Sequence, residues 1–153
     1  MTVYMDHDQE YDLEYLADIL KSVKTIAMVG ASPDKTKFSY GVLRVLSECG
    51  YDIVPVNPAA AGEEIRGLPV VARLRDIDRP VDMVDVFRDS EHLPTIAAEA
   101  IEIGAKVLWC QIGVRDDEAA RMAEEAGMRV VMNRCPKIEL FRPFWKPRLN
   151  QTI

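Results

Sequence analysis

The stretch from Thr25 to Gly41, TIAMVGASPDKTKFSYG, decides the fold. Ile26 to Gly30 is an unbroken run of apolar and small residues, the pattern of a short buried strand. Small and polar residues then make a turn, and Ser39 stands where a helix beginning at Tyr40 needs its N-cap. The order is strand, loop, helix. The first N–H groups of a helix have no partners inside it and together carry roughly half a positive charge, so such a turn seats phosphate. Ser32 offers a hydroxyl there, and Lys35 and Lys37 offer cations. The expected ligand therefore bears a nucleotide.

The same alternation continues towards the C-terminus. Val42, Leu43, Val45, Leu46 and Cys49 make one apolar stripe at helical spacing, and Gly50 sits at the left-handed cap position. Asp52 to Val56 reads as a second strand ending at Asn57-Pro58. Pro55 cannot donate to a ladder, which puts an edge or an irregularity there. From Ala59 to Pro80 the pattern loosens, and Leu68 to Leu74 gives at most a short extra turn or strand. Val81 to Phe87 is the third strand, Lys106 to Gln111 the fourth and Arg129 to Met132 the fifth. Ser90, with Pro94 behind it, opens one intervening helix, and Asp116 or Asp117 opens the other. Gly50, Gly104 and Gly127 share one grammar: helix stop, one spacer, one charge, then strand.

Short apolar strands without a polar face, alternating with helices, predict an α/β chain. Its sheet is Rossmann-like, doubly wound and parallel, with about five strands and helices on both faces. Right-handed crossovers leave few topologies, and the predicted strand order is 3-2-1-4-5. Upstream, Tyr11, Tyr15, Leu16, Ile19, Leu20 and Val23 at helical spacing, with Asp8 as cap, predict an extra N-terminal helix. The sequence thus divides into a covering helix over 1–24, a ligand-binding domain over 25–140 and a tail over 141–153.

Composition narrows the class of partner. The 153 residues fit one domain with a real core. No run approaches the ~18 apolar residues of a membrane span, and the N-terminus is acidic where a secretory signal is basic, so a cytoplasmic protein without a membrane partner is expected. Cys49, Cys110 and Cys135 form neither a disulfide framework nor a zinc spacing. Net charge is −6, but the first twenty residues hold six acids and no base, leaving 19 acids against 19 bases. A neutral body argues against a nucleic-acid surface. In the tail, Arg142, Lys146 and Arg148 interleave with Phe141, Phe144 and Trp145. That mixture can grip single strands, but it is read as aromatics packed on their own domain or on a second subunit, which leaves a homodimer open.

In such sheets ligands gather at the carboxyl ends of the strands, where the winding reverses. That edge consists of Gly30-Ala31-Ser32-Pro33, Asn57-Pro58, Arg88-Asp89-Ser90, Gln111-Ile112-Gly113 and Asn133-Arg134-Cys135-Pro136. A phosphate would meet the amides near Ala31 to Lys35 and the helix start at Ser39, Tyr40 and Gly41. This is no ordinary dinucleotide site. The fingerprint G-x-G-x-x-G is missing, and Asn57-Pro58 replaces the acid that would hold a ribose hydroxyl. Asp52 lies at the wrong end of its strand, and GxxxxGK[ST] is absent.

Five motifs in order carry a family resemblance: VGAS at Val29 to Ser32, PVNP at Pro55 to Pro58, VDMVDVFR at Val81 to Arg88, LWCQIGV at Leu108 to Val114 and VVMNRCPKIE at Val130 to Glu139. The chain resembles the small stand-alone CoA-binding domain proteins, relatives of the CoA-binding domain of the succinyl-CoA synthetase alpha subunit. The resemblance implies a Rossmann-like fold that binds coenzyme A or acyl-CoA. It implies that Gly30, Ala31, Ser32, Pro33 and the loop bearing Lys35 and Lys37 hold the phosphates. Asn57 and Pro58 would flank the adenosine, and Arg88, Gln111, Ile112 and Gly113 would border the rest. Members often carry Asp where this chain has Asn133.

The resemblance does not imply a ligase, which would use a phosphorylated histidine in a second domain. The only histidines here are His7, in the acidic leader, and His92, read as an exposed residue near a helix start. No nucleophile with a paired base, no carboxylate dyad and no metal cluster is legible, so no catalytic or metal-binding residue is assigned. A non-catalytic carrier, sensor or regulator is the expectation, and an NAD(P)-dependent redox enzyme or redox sensor is the alternative. Cys135, beside Arg134, is a candidate for a mixed disulfide with CoA, against the simpler reading of a small buried residue.

Overall fold

A computed structural model describes residues 4–140. In chain order the principal elements are α1 (Leu13–Ser22), β1 (Thr25–Val29), α2 (Phe38–Glu48), β2 (Asp52–Val56), β3 (Glu64–Ile65), β4 (Leu68–Pro69), β5 (Met83–Val86), α3 (Leu93–Glu102), β6 (Val107–Cys110), α4 (Asp117–Glu125), β7 (Arg129–Val131) and α5 (Pro136–Leu140). Five of the strands form one parallel sheet, and β3 pairs with β4 in a separate antiparallel hairpin. Alternate residues of each strand enter two apolar layers. Ile26, Met28, Met83 and Trp109 face α1, α2 and α5, while Ala27, Val84, Val86 and Leu108 face α3 and α4. Burial on both faces is why these strands show no polar alternation.

The sheet order is β2-β1-β5-β6-β7, so the five principal strands run 2-1-3-4-5. This corrects the predicted 3-2-1-4-5: the VDMVDVF strand lies against β1 and not outside β2. Asp82 fixes it there. Its carboxylate accepts the N–H groups of Lys24 and Thr25 at 2.9 and 3.0 Å, and its own N–H donates to the Thr25 carbonyl at 2.9 Å. The place outside β2 is taken by one parallel bridge between Val56 and Val71. There the Val71 N–H donates to the Pro55 carbonyl at 3.0 Å, and the Asn57 N–H donates to the Val71 carbonyl at 2.9 Å. Pro55 therefore turns its missing N–H towards this sparsely paired side, where a central ladder loses nothing.

At the opposite margin, α1 and the residues just before it supply the partners that β7 lacks. The Tyr15 hydroxyl accepts the Val130 N–H at 3.0 Å and donates to the Val130 carbonyl at 2.9 Å, while the Tyr11 hydroxyl accepts the Met132 N–H at 2.8 Å. Burial pushes the Tyr15 hydroxyl up to about 12, so it remains a donor at every physiological pH. The cap of α1 is Asp12, whose side chain accepts the Glu14 N–H, and not the predicted Asp8. Asp8 is drawn away by Arg115, which it meets at 2.6 Å. No described helix is long and apolar enough to cross a membrane.

Candidate ligand-binding site

The turn after β1 is built by its own side chains. Gly30 has φ +88°, and a Cβ there would lie 2.7 Å from the Phe87 carbonyl oxygen, so only glycine lets β1 leave the sheet this close to β5. Ala31 is fully buried, and its carbonyl accepts from Asn57 Nδ2 at 2.8 Å. The Ser32 hydroxyl accepts the Asp34 N–H at 3.1 Å, and the Asp34 carboxylate accepts the Thr36 N–H and hydroxyl at 2.9 and 2.7 Å. Those Thr36 bonds hold the Asp34 carboxyl below the usual carboxylate range. Pro33 is half-buried, and Lys35 and Lys37 are exposed.

Helix α2 begins at Phe38, with Lys37 at the cap and no capping side chain. The predicted cap, Ser39, lies buried inside the first turn, because the two side-chain-closed turns at Ser32 and Asp34 deliver the chain into the helix two residues early. The opening amides of α2 are thus left without a side-chain acceptor from the cap. Tyr40 is half-buried beside them. A third cation arrives from the far end of the domain. Lys137, at the start of α5, places its Nζ 3.9 Å from where a Gly41 Cβ would stand. Lys35, Lys37 and Lys137 together outnumber the single Asp34 carboxylate. In sequence Lys137 is only one base within VVMNRCPKIE, since the packing of α5 beside α2 is what reveals its place.

A cleft of about 190 Å³ opens on the other side of the same turn, lined by Val29, Val56, Pro58, Arg73, Arg88 and His92 among others. That is smaller than the roughly 300–1,000 Å³ of a whole ligand pocket, so it suits one moiety of a larger molecule. Asn57 shapes its wall, because its Oδ1 caps the short turn Pro58–Ala60 by accepting the Ala59 N–H while its Nδ2 holds Ala31. Arg88 Nη2 lies 3.1 Å from His92 Nε2. A guanidinium can only donate, so His92 Nε2 is the acceptor of this contact. The histidine read from sequence as merely exposed therefore belongs to the cleft. Wider grooves beside α4 are lined by more acids than bases, Glu124 and Glu125 with Arg129 in one and Asp117, Glu118 and Glu125 with Arg121 in the other, a poorer seat for phosphate.

Beyond β6 the edge divides by side chain. Gln111 is buried and donates from Nε2 to Asp85 at 2.7 Å, whereas Ile112 is 57% exposed. The Gly113 N–H donates to Asn133 Oδ1 at 2.7 Å. Asn133 adopts φ +59°, which asparagine tolerates better than most residues, and an aspartate would accept the same bond. Trp109 Nε1 supports the next turn by donating to the Arg134 carbonyl at 2.9 Å. Cys110 and Cys135 are both buried, and burial pushes both thiols up, opposite to what thiol exchange requires. Among the described residues no cluster of His, Cys, Asp or Glu could hold a metal.

Comparison with known proteins bears on this edge. The family model described as a CoA binding domain matches residues 24–140. The chain is 41% identical over 123 residues to the uncharacterized protein YneT of Bacillus subtilis, covering 80% of this chain and 90% of that one. It is 30% identical over 95 residues to the ADP-forming acetate–CoA ligase I subunit alpha of Pyrococcus furiosus. There the match covers 60% of this chain but 21% of the ligase subunit. A solved structure of a hypothetical protein from Pyrococcus horikoshii superposes with a TM-score of 0.84 at 35% identity, covering 94% of this chain and 99% of that one.

Proposed function

The chain belongs to the CoA-binding domain family, and on that premise we propose that it binds coenzyme A or an acyl-CoA at the carboxyl edge of its sheet, without catalysing a reaction, as a carrier, sensor or regulator. The observation that carries this reading is the uncapped start of α2, with Lys37 at its cap position and Lys137 Nζ 3.9 Å from the place of a Gly41 Cβ, inside the matched region. The diphosphate lies across Gly30 to Pro33 and meets the α2 amides. Adenosine enters the cleft beside Asn57 and Pro58, with Arg88 and His92 at its rim. The pantetheine arm runs along Ile112 and Gly113, where Ile112 is 57% exposed. Apolar surface flanking a charged seat fits a ligand with a phosphate end and a thioester end. The protein acts in the cytoplasm.

Calorimetric titration with CoA, dephospho-CoA, NAD and ATP tests the reading. CoA is expected to bind most tightly, and Lys35→Ala combined with Lys37→Ala is expected to weaken it about tenfold or more, the loss of roughly 1.4 kcal/mol or more of charge-assisted bonding. Preference for NAD over CoA would replace this reading with a nicotinamide-dependent one. Lys137→Ala is expected to weaken CoA as much as either loop lysine alone.

A further inference from the structure

Asp85 lies in β5 with no exposed surface, between Met28 of β1 and Trp109 of β6 in register. Its Oδ1 accepts from Gln111 Nε2 at 2.7 Å. Asp85 Oδ2 and Gln111 Oε1 are both buried and make no hydrogen bond to any described residue. If the carboxyl were ionised, both atoms would be bare acceptors in a dry interior, a costly arrangement. The two atoms belong to the same two planar groups that already share one bond, and a single proton satisfies both.

We infer that Asp85 is a neutral carboxylic acid whose Oδ2–H donates to Gln111 Oε1, closing a two-bond acid–amide ring that positions the loop from Gln111 to Gly113. The surroundings agree. The buried residues of α1 and α2 are Leu16, Ala17, Ile19 and Leu20, and Ser39, Val42, Leu43, Val45 and Leu46, none of them charged. The thiols of Cys110 and Cys135 feel the Asp85 carboxyl and are themselves pushed up mainly by burial. From α5 come Lys137 and the buried Glu139. Among the described residues no lysine or arginine forms an ion pair with Asp85. Burial raises its carboxyl to about 7, with the Gln111 bond acting against that.

Asp85 is thus a positioning residue. Gln111 leads directly into Gly113, which Asn133 holds, so the ring anchors the segment proposed to border the pantetheine. That functional meaning rests on the CoA reading, but the proton does not. Because the folded carboxyl titrates above its unfolded value, the stability it confers is complete below about pH 4 and is lost as pH rises through the folded value of about 7.

Asp85→Asn is the test, because an amide in place of the acid closes the same ring without a titrating proton. The wild type is expected to melt at falling temperature from about pH 5 to about pH 8, while Asp85→Asn stays level and is at least as stable at the upper end. In infrared spectra the wild type is expected to show a carboxylic-acid carbonyl band at about pH 6, where exposed carboxylates are ionised, and the variant to lack it. An unchanged pH slope in Asp85→Asn, or no acid band in the wild type, overturns the inference. Should the variant not fold, the wild-type infrared titration alone decides it. Failure of CoA to bind either protein would overturn the proposed site and leave the ligand-free result to decide the proton.

Discussion

Two glycines flanking the loop after β1 sit in opposite physical circumstances. At Gly30 the backbone is left-handed and a Cβ would collide with the Phe87 carbonyl at 2.7 Å, so Gly30→Ala is expected to cost roughly 2–4 kcal/mol, read as a drop in denaturant midpoint. At Gly41, inside α2, a Cβ would meet nothing nearer than Lys137 Nζ at 3.9 Å, an ordinary contact. Gly41→Ala is therefore expected to stabilise the free protein by roughly 0.5–1 kcal/mol, since glycine is a poor helix former. The same methyl narrows the notch between Lys137 and the helix start, so CoA affinity is expected to fall as melting temperature rises. At this scale the sequence exposed residue types but not partners. Asn57 was legible as an edge residue, yet its two bonds, to Ala31 and Ala59, depend on loops brought together only by the fold. Asp85 was read as one letter of an apolar strand, because the second acid of VDMVDVF carries no sign of the glutamine 26 residues away.

Among the elements, α1 shows how one helix can finish a sheet. Removing the Tyr15 hydroxyl leaves both the N–H and the carbonyl of Val130 without their partner, so Tyr15→Phe is expected to cost roughly 1–3 kcal/mol. Amide exchange at Val130 should accelerate in that variant while Ile26 in β1 stays protected; equal acceleration at both would mean global and not marginal loosening. The strands and helices themselves were largely legible, since glycine stops and apolar runs recur at each junction. Two features were not. The start of α2 was misplaced because Ser39 looks like a cap, whereas the Asx and Ser turns upstream settle where the helix begins. The neighbour of β1 was misassigned because Asp82, which ties β5 to it, resembles any charged residue before a strand.

For the molecule as a whole, an overall charge of −6 and a cationic patch at one edge act in opposition. In the proposed seat the lysines are partly solvated, so raising ionic strength from about 0.05 to about 0.5 M is expected to weaken CoA binding several-fold. A calorimetric titration at both salts checks this, and an unchanged affinity would mean that the phosphates do not lie among those lysines. Family and fold class were legible at this scale because five motifs fall on the five carboxyl ends, and the family match spans 24–140. The tyrosine seal on β7 has a last consequence for assembly. With both hydrogen-bonding groups of Val130 already satisfied from within the chain, a neighbouring copy cannot continue the sheet across that rim. Continuation of the sheet is left to the thinly bridged rim beside β2, and a swapped or fibrillar form that used the β7 rim would first have to peel α1 away.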